Sequence, residues 1–403
     1  MDIDAFHAIQ GKRPVKQFGD LRQKTSGIVS VLKFCDDIVF HVFPPFLCYN
    51  TTMNIHAGRI RKILYISFIS FLAGSLCACG DNYEKRAANE IAHTYNVPEE
   101  KQLIVYSSHK EEVYLPIIME FEDRTGIWVE IHEGGTTEIL EKVREASKAG
   151  ACDIMMGGGV ESYEAAKDLF VPYEPSDRDR LDEEYLSKSD LWTPFTELPL
   201  VFIYNNKLVS EKEAPTHWRD LLNPKWHGKI AFADLNSSGT SYTILSALSQ
   251  LSSDPSEDLV REFLSGIKGN VLASSVDIIP NVLSGAYPIG ITLEGSAKKS
   301  TFSGGDLTMV YPADGTVAVP DGCAIVKNAP HSYNAGRFID FLTGYDTQKY
   351  ATEHFFRRPV RMDVAQPEGY EEIRKIDFDI ERSAQDEKHI FALWDEIIGR
   401  EGD

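Results

Sequence analysis

Hydrophobic and polar positions along this chain settle into a regular order only from Leu103 onward. Leu103 to Tyr106 is a short apolar β run, Glu111 to Arg124 carries apolar positions at helical spacing, and Ile127 to His132 alternates as a second strand. Gly134, Gly135, Thr136 and Thr137 open a helix that runs to about Lys148, and Cys152 to Met156 is a third strand. This βαβαβ order predicts a mostly parallel sheet flanked by helices, with ligands beyond the carboxyl ends of the strands. A second block starts near Leu198, where the strand Pro199 to Asn205 carries the chain into a new lobe. A short helix and turn follow over Pro215 to Trp226, then a strand at Ile230 to Ala233, a helix from Tyr242 to Leu251 and a strand at Ile289 to Leu293. After Tyr311 the chain passes through Pro320, Asp321 and Gly322 into a returning strand, Cys323 to Val326, and a helix over Tyr333 to Thr343. The predicted fold is α/β: a two-lobed hinged clamp, with residues 102–198 and 320–403 in one lobe, 199–319 in the other, and crossings near Leu198 to Tyr204 and Tyr311 to Asp321.

The region before this pattern is of another kind. Arg59, Arg61 and Lys62 precede an apolar segment, Ile63 to Leu72, and Leu76-Cys77-Ala78-Cys79 has the form of a lipobox. Residues 53–78 therefore read as a lipoprotein signal peptide, with Cys79 as the lipidated mature N-terminus and residues 79–101 as a polar tether. Ile63 to Ala78 falls short of the roughly 20 residues that cross a bilayer. Met53 stands where such a signal begins, so residues 1–52 read as an upstream translation artefact. The expected location is extracytoplasmic, lipid-anchored to the cell membrane.

Composition narrows the partners. With 43% hydrophobic and 25% charged residues the chain is ordinary for a globular protein. A formal charge of -20 argues against nucleic acid and against broad adhesion to anionic membranes, though not against an anionic ligand in a local pocket. Beyond Cys79 only Cys152 and Cys323 remain, at a spacing that suits neither a zinc site nor a disulfide framework. They read as two buried thiols, with a single bridge left open.

Three segments place short hydroxyl residues between a strand and a helix: Ser107 and Ser108, Thr136 and Thr137, and Asn236, Ser237, Ser238, Gly239, Thr240 and Ser241. A helix start offers free amides and a positive dipole end, which suit a phosphate or carboxylate. Each hydroxyl also serves as an ordinary helix cap, so the functional reading rests on their repetition at one edge. Gly135 and Gly239 let a ligand approach the backbone, and Gly158 belongs to a glycine triplet that faces the cleft or makes a tight turn. That triplet lacks the lysine and Ser/Thr of a nucleotide-binding loop, so no cofactor is expected. Among Arg357, Arg358 and Arg361, Arg358 is taken as the guanidinium that grips an anionic group, against the plainer reading of surface ion pairs.

The strings LIVYSSHKEE, FEDRTGIWVE, NPKWHGKIAF, GITLE, YPADGT and PDGCAIVKNAP with FIDFL, in this order and spacing over Leu103 to about Val364, resemble the extracellular solute-binding proteins of ABC importers. The resemblance is to the type II branch that holds ferric-ion, phosphonate, hexose-phosphate and phosphoglycerate binders. It implies a monomeric clamp that closes on a small solute and presents it to a permease driven by a separate ATPase. Ferric-ion members use two neighbouring tyrosines at the strand matching GITLE, where this chain has Thr292, Leu293 and Glu294. Thr292 and Glu294 are expected to contact hydroxyl or amino groups of an organic solute, with His109 and Asp314 at the same cleft, and no metal is expected. An atypical ferric site using His109, Glu133, Glu294 and Asp314 is the alternative. A hydrolase using Glu294 with Asp314, or Ser with His, is a further one, though no GxSxG elbow, HExxH helix or SxxK element stands in a context that supports it. Binding of a small anionic solute, not catalysis, is the function the sequence predicts.

Overall fold

The computed structural model describes residues 97–251 and 257–399. The proposed artefact, the signal peptide, Cys79 and the tether as far as residue 96 lie outside the described residues. The last tether residues are fastened to the folded body, because a 3-10 turn at Glu99–Lys101 precedes the first strand and the Asn334 amide donates to the carbonyls of Glu100 (3.1 Å) and Gln102 (2.8 Å).

The first lobe begins with β1 (Gln102–Ser107), α1 (Glu111–Thr125), β2 (Trp128–Glu133), α2 (Thr136–Ala149), β3 (Ile154–Gly159) and α3 (Val160–Ala165). β1 pairs in parallel with both β2 and β3. Both long helices stop where a glycine takes a left-handed conformation, Gly126 at φ 64° and Gly150 at φ 59°, which side-chain-bearing residues adopt reluctantly. β3 runs past Met156 and absorbs the glycine triplet, with Gly157 and Gly158 at φ 91° and 82°.

The chain continues through β4 (Phe170–Val171), β5 (Thr193–Asn205), β6 (Ile230–Ala233), α4 (Gly239–Gln250), α5 (Glu257–Ile267), β7 (Val271–Leu272), α6 (Ile278–Ser284), β8 (Ile289–Leu293), α7 (Glu294–Phe302), β9 (Leu307–Val310) and β10 (Ala318–Val326). It closes with α8 (Ser332–Thr343), α9 (Tyr345–Phe355), β11 (Arg358–Pro359) and α10 (Ile380–Ile397). The strand order is β2-β1-β3-β10-β5-β8-β6-β7. Two parallel triplets, β2-β1-β3 and β8-β6-β7, are thus joined by the long antiparallel strands β10 and β5, which makes the clamp a mixed sheet at its waist.

β5 begins at Thr193, earlier than the strand read near Leu198. Thr193 to Pro199 pairs with β10, and Leu200 to Asn205 pairs with β8 and β9. Pro320, Asp321 and Gly322, read in the sequence as a turn, lie inside β10, where the register shifts on both sides of Asp321. Proline and glycine here mark a bulge, and a bulge re-aims the side chain it carries.

α10 packs against α3 of the first lobe and against α4 and α5 beside the second triplet. Its buried residues Ile390, Leu393 and Trp394 recur at helical spacing, the Trp394 ring sits 6.2 Å from that of Phe232, and Phe391 stacks on Tyr242 at the same separation. Asp379 caps it by accepting the Arg382 amide at 2.9 Å. Burying each such large apolar side chain contributes about 1.5–3 kcal/mol, so this helix is a strong strap over both lobes.

Candidate functional site

At the end of β1 the backbone is fixed before any ligand arrives. The Ser107 hydroxyl accepts the His109 amide (3.1 Å), and the Ser108 amide donates to the Met156 carbonyl of β3 (2.9 Å). Ser107 is buried and therefore acts on the loop itself. The Ser108 hydroxyl and His109 Nδ1 are also buried, yet neither has a hydrogen-bond partner. Both side chains crowd Gly157: a Cβ there would come within 2.8 Å of Ser108 Oγ and of His109 Cδ2.

His109 Nε2 lies 2.7 Å from Asp321 Oδ2. Asp321 is fully buried and also accepts the Thr196 amide (2.6 Å), the Thr196 hydroxyl (2.7 Å) and the Arg357 guanidinium. Burial alone pushes a carboxyl up, but the Arg357 charge and these donors outweigh it and hold Asp321 below the ordinary aspartate value. Burial lowers His109 below the usual histidine value despite its bond to Asp321. A neutral imidazole beside an ionised carboxylate keeps its proton on Nε2, which leaves Nδ1 as an open acceptor.

The two lobes meet at the glycines. Thr136, at the start of α2, is wedged between Gly158 of β3 and Gly239 of α4, so that a Cβ on either would lie within 2.6 Å and 2.7 Å of its side chain. A Cβ on Gly135 would overlap the Ser237 carbonyl. Ser238 caps α4 by accepting the Ser241 amide (3.1 Å), the Ser241 hydroxyl donates to Ala233 (2.9 Å), and Ser237 donates to Ala273, so these three hydroxyls are engaged within their own lobe. Asn236 is exposed and its amide nitrogen donates to Asp234; Thr240 is half-buried in the first turn of α4.

The remaining predicted residues go elsewhere. Thr137 turns toward a surface hollow that it lines with Arg144, Glu387 and Phe391. Thr292 is buried at the end of β8. Glu294 receives Arg358 in a two-point ion pair at 2.8 Å, with the Tyr311 hydroxyl on the same carboxylate. Asp314 lies 3.3 Å from the Trp218 amide, which it accepts at the start of a 3-10 turn. Glu133 takes the Tyr114 hydroxyl (2.9 Å). Arg357, with Asp321 and Thr196, stands beside His109 in place of Arg358. Asp321 is the residue sequence reasoning missed, because proline and glycine on either side disguised a buried acid as a turn. Its one signal was a charge standing between the apolar Val319 and Cys323.

A hollow of about 780 Å³ opens between α7 and α9, lined by residues such as Lys298, Phe302, Lys349 and Tyr370, and includes none of the predicted site residues. Among the described residues no helix is long and apolar enough to cross a membrane.

Two α/β lobes, joined by antiparallel crossings and meeting at glycine-bearing helix starts, define a type II periplasmic binding protein. The chain belongs to the bacterial extracellular solute-binding proteins, whose family profile matches residues 153–379. It is 25% identical over 328 residues to iron uptake protein A1 of Synechocystis sp., covering 76% of this chain and 88% of that one. It is 24% identical over 263 residues to a putative 2-aminoethylphosphonate-binding periplasmic protein of Salmonella typhimurium, covering 60% and 73%. Its fold matches AfuA of Actinobacillus pleuropneumoniae, solved with exogenous fructose-6-phosphate bound, at a TM-score of 0.68 and 22% identity over 74% of this chain and 98% of that one. The protein is thus a substrate-binding component of the ABC-importer type. Its family places it outside the cytoplasm, with a small solute and an ABC permease as partners.

Proposed function

We propose that this protein captures a small anionic solute, of the phosphorylated-sugar, phosphonate, phosphoglycerate or carboxylate class, in the interlobe cleft and hands it to its permease. The observation that carries this reading is the pair of buried, unpartnered polar atoms, Ser108 Oγ and His109 Nδ1, at the mouth of α1. A buried polar atom without a partner costs about 1–3 kcal/mol, which a ligand bond recovers. Ser108 donates to an anionic oxygen, while His109 Nδ1 accepts a hydroxyl or amino hydrogen on the same molecule. α1, α2 and α7 all begin without a side-chain cap, so their first amides are open to an anion.

The ferric alternative draws less support, since Glu294, Asp314 and Glu133 each hold a partner of their own. Hydrolysis by Glu294 with Asp314 loses support for the same reason. Attachment through a lipid on Cys79 and action as a monomer complete the proposal. A Cys79→Ser chain that stays fully membrane-bound after export would remove the anchor from it.

Thermal unfolding against phosphorylated metabolites, phosphonates, carboxylates and ferric citrate tests the reading. A ligand at a hundred times its dissociation constant adds about 2.7 kcal/mol. A hit among organic anions that disappears in Ser108→Ala supports the proposal. A response to ferric salts alone, or turnover of esters or glycosides, would overturn it.

A further inference from the structure

Glu161, in the first turn of α3, is a buried acid that the site described above does not use. It is wholly buried, yet its Oε2 has no hydrogen-bond partner. Its other oxygen accepts the Thr243 hydroxyl from α4. α3 follows β3 of the first triplet and α4 follows β6 of the second, so this contact spans the two lobes, and α10 packs over both helices. Every element around the carboxyl withholds a counter-charge. From α10 it is faced by Glu387, also an acid, and from α4 by Tyr242 and Thr243. β3 presents only Gly159, whose Cβ position the carboxyl already fills. The nearby cations Arg144 and Lys388 act on Glu387, and on β10 Asp321 is occupied by His109 and Arg357.

We propose that Glu161 couples closure of the clamp to the uptake of one proton, so that the lobes close more readily in mildly acidic than in alkaline surroundings. With the lobes meeting as they do here, this carboxyl is buried between α3, α4 and α10 with only two neutral donors, the Thr243 hydroxyl and its own backbone amide. Opening parts α3 from α4 and returns it to water, where the charged form is favoured. Burial, with Glu387 adding to it, raises Glu161 to about 7 with the lobes arranged as in this structure, against an ordinary value near 4.3 in water. Closure therefore gains from falling pH between about 7 and 4.3, and gains nothing further below that window. One-proton linkage of this size raises the closing equilibrium about eightfold between pH 7.5 and pH 6.

The inference shares only the hinge with the solute-capture reading, and its test uses no solute. Backbone hydrogen exchange of the full chain, corrected for the intrinsic pH dependence of exchange, is followed over residues 157–165 and 239–243. The opening equilibrium is expected to be smaller at pH 6 than at pH 7.5 in the wild type, and this change with pH is expected to be about eightfold weaker in Glu161→Gln. His109 and His331 titrate in both proteins, so the difference between them reads Glu161 alone. Thr243→Val removes the side-chain donor to the carboxylate and should move the transition to higher pH. A wild type flat across this range, a Glu161→Gln protein that keeps the slope, or a Thr243→Val midpoint that does not move would each overturn the proposal. A blank solute screen would leave it untouched, and a flat pH response would leave solute capture untouched.

Discussion

Arg358 and Glu294 face each other across the lobe boundary as a buried two-point pair, with Nε and Nη2 each 2.8 Å from a carboxylate oxygen. The pairing carboxylate and Tyr311 raise the arginine further above its already high value, despite the burial that opposes it. Arg358→Ala or Glu294→Ala leaves the partner charge buried without its counter-ion, held only by neutral groups, Tyr311 on Glu294 or the Glu371 carbonyl on Arg358. Such a loss costs about 3–5 kcal/mol, and urea unfolding of either variant should show it. An unchanged midpoint would return both residues to the ligand site.

Gly158 should not tolerate a side chain. At φ 82° it lies in the left-handed region, and a Cβ would sit 2.6 Å from the Thr136 methyl. Backbone strain alone costs about 1–3 kcal/mol. Gly158→Ala should therefore lower the melting temperature and increase hydrogen exchange over residues 135–137. Gly239→Ala separates the two effects, because its Cβ approaches Thr136 Oγ1 at 2.7 Å from within a helix that itself favours alanine. That variant should open the cleft with little loss of stability, and a closed, normally protected Gly239→Ala protein would show that Thr136 yields easily.

His331 makes stability depend on pH. Its Nδ1 is 2.8 Å from Asp153 Oδ2, whose carboxylate raises the imidazole above its ordinary value, with burial opposing. A raised folded value means that the pair's contribution is complete below the unfolded value of about 6.5 and disappears as pH climbs through the folded one. Urea midpoints at pH 6 and pH 8.5 should differ more in the wild type than in His331→Gln. Equal differences would assign the pair no role in the pH profile.

Cys152 and Cys323 are both free and buried, and burial raises both thiols well above the ordinary value. Neither should react with a thiol reagent in the folded protein beyond residue 96, and both should react in urea. Rapid native labelling at either position would contradict the packing around β3 and β10.

Local pattern reached far along this chain. β6 and β8 have the limits read from their apolar runs, and α1, α2 and α8 fall within two residues of theirs, because apolar periodicity and glycine stops are local properties. α7, α9 and α10 are missing from the predicted elements: α7 opens directly on β8, α9 has mixed polarity, and the helical spacing of Ile390, Leu393 and Trp394 in α10 goes unread. The hydroxyl-bearing helix starts at Thr136 and Ser238 were visible as sequence features, yet their division of labour was not. Thr136 meets Gly158 and Gly239, whereas Thr137 faces α10.

The βαβαβ order of the first lobe, the strands β6 and β8, the glycines at helix starts and the family resemblance follow from the sequence by itself, because each depends on neighbours in the chain. Which arginine reaches the cleft, which carboxylates are already paired, and that Asp321 and Glu161 are buried acids were decided only by tertiary structure. Arg357 and Arg358 are adjacent in sequence, but they end against Asp321 and Glu294 respectively. Charge pairing is settled by distances across the fold, and residues hundreds of positions apart share a site only once β5, β10 and α10 have brought the lobes together.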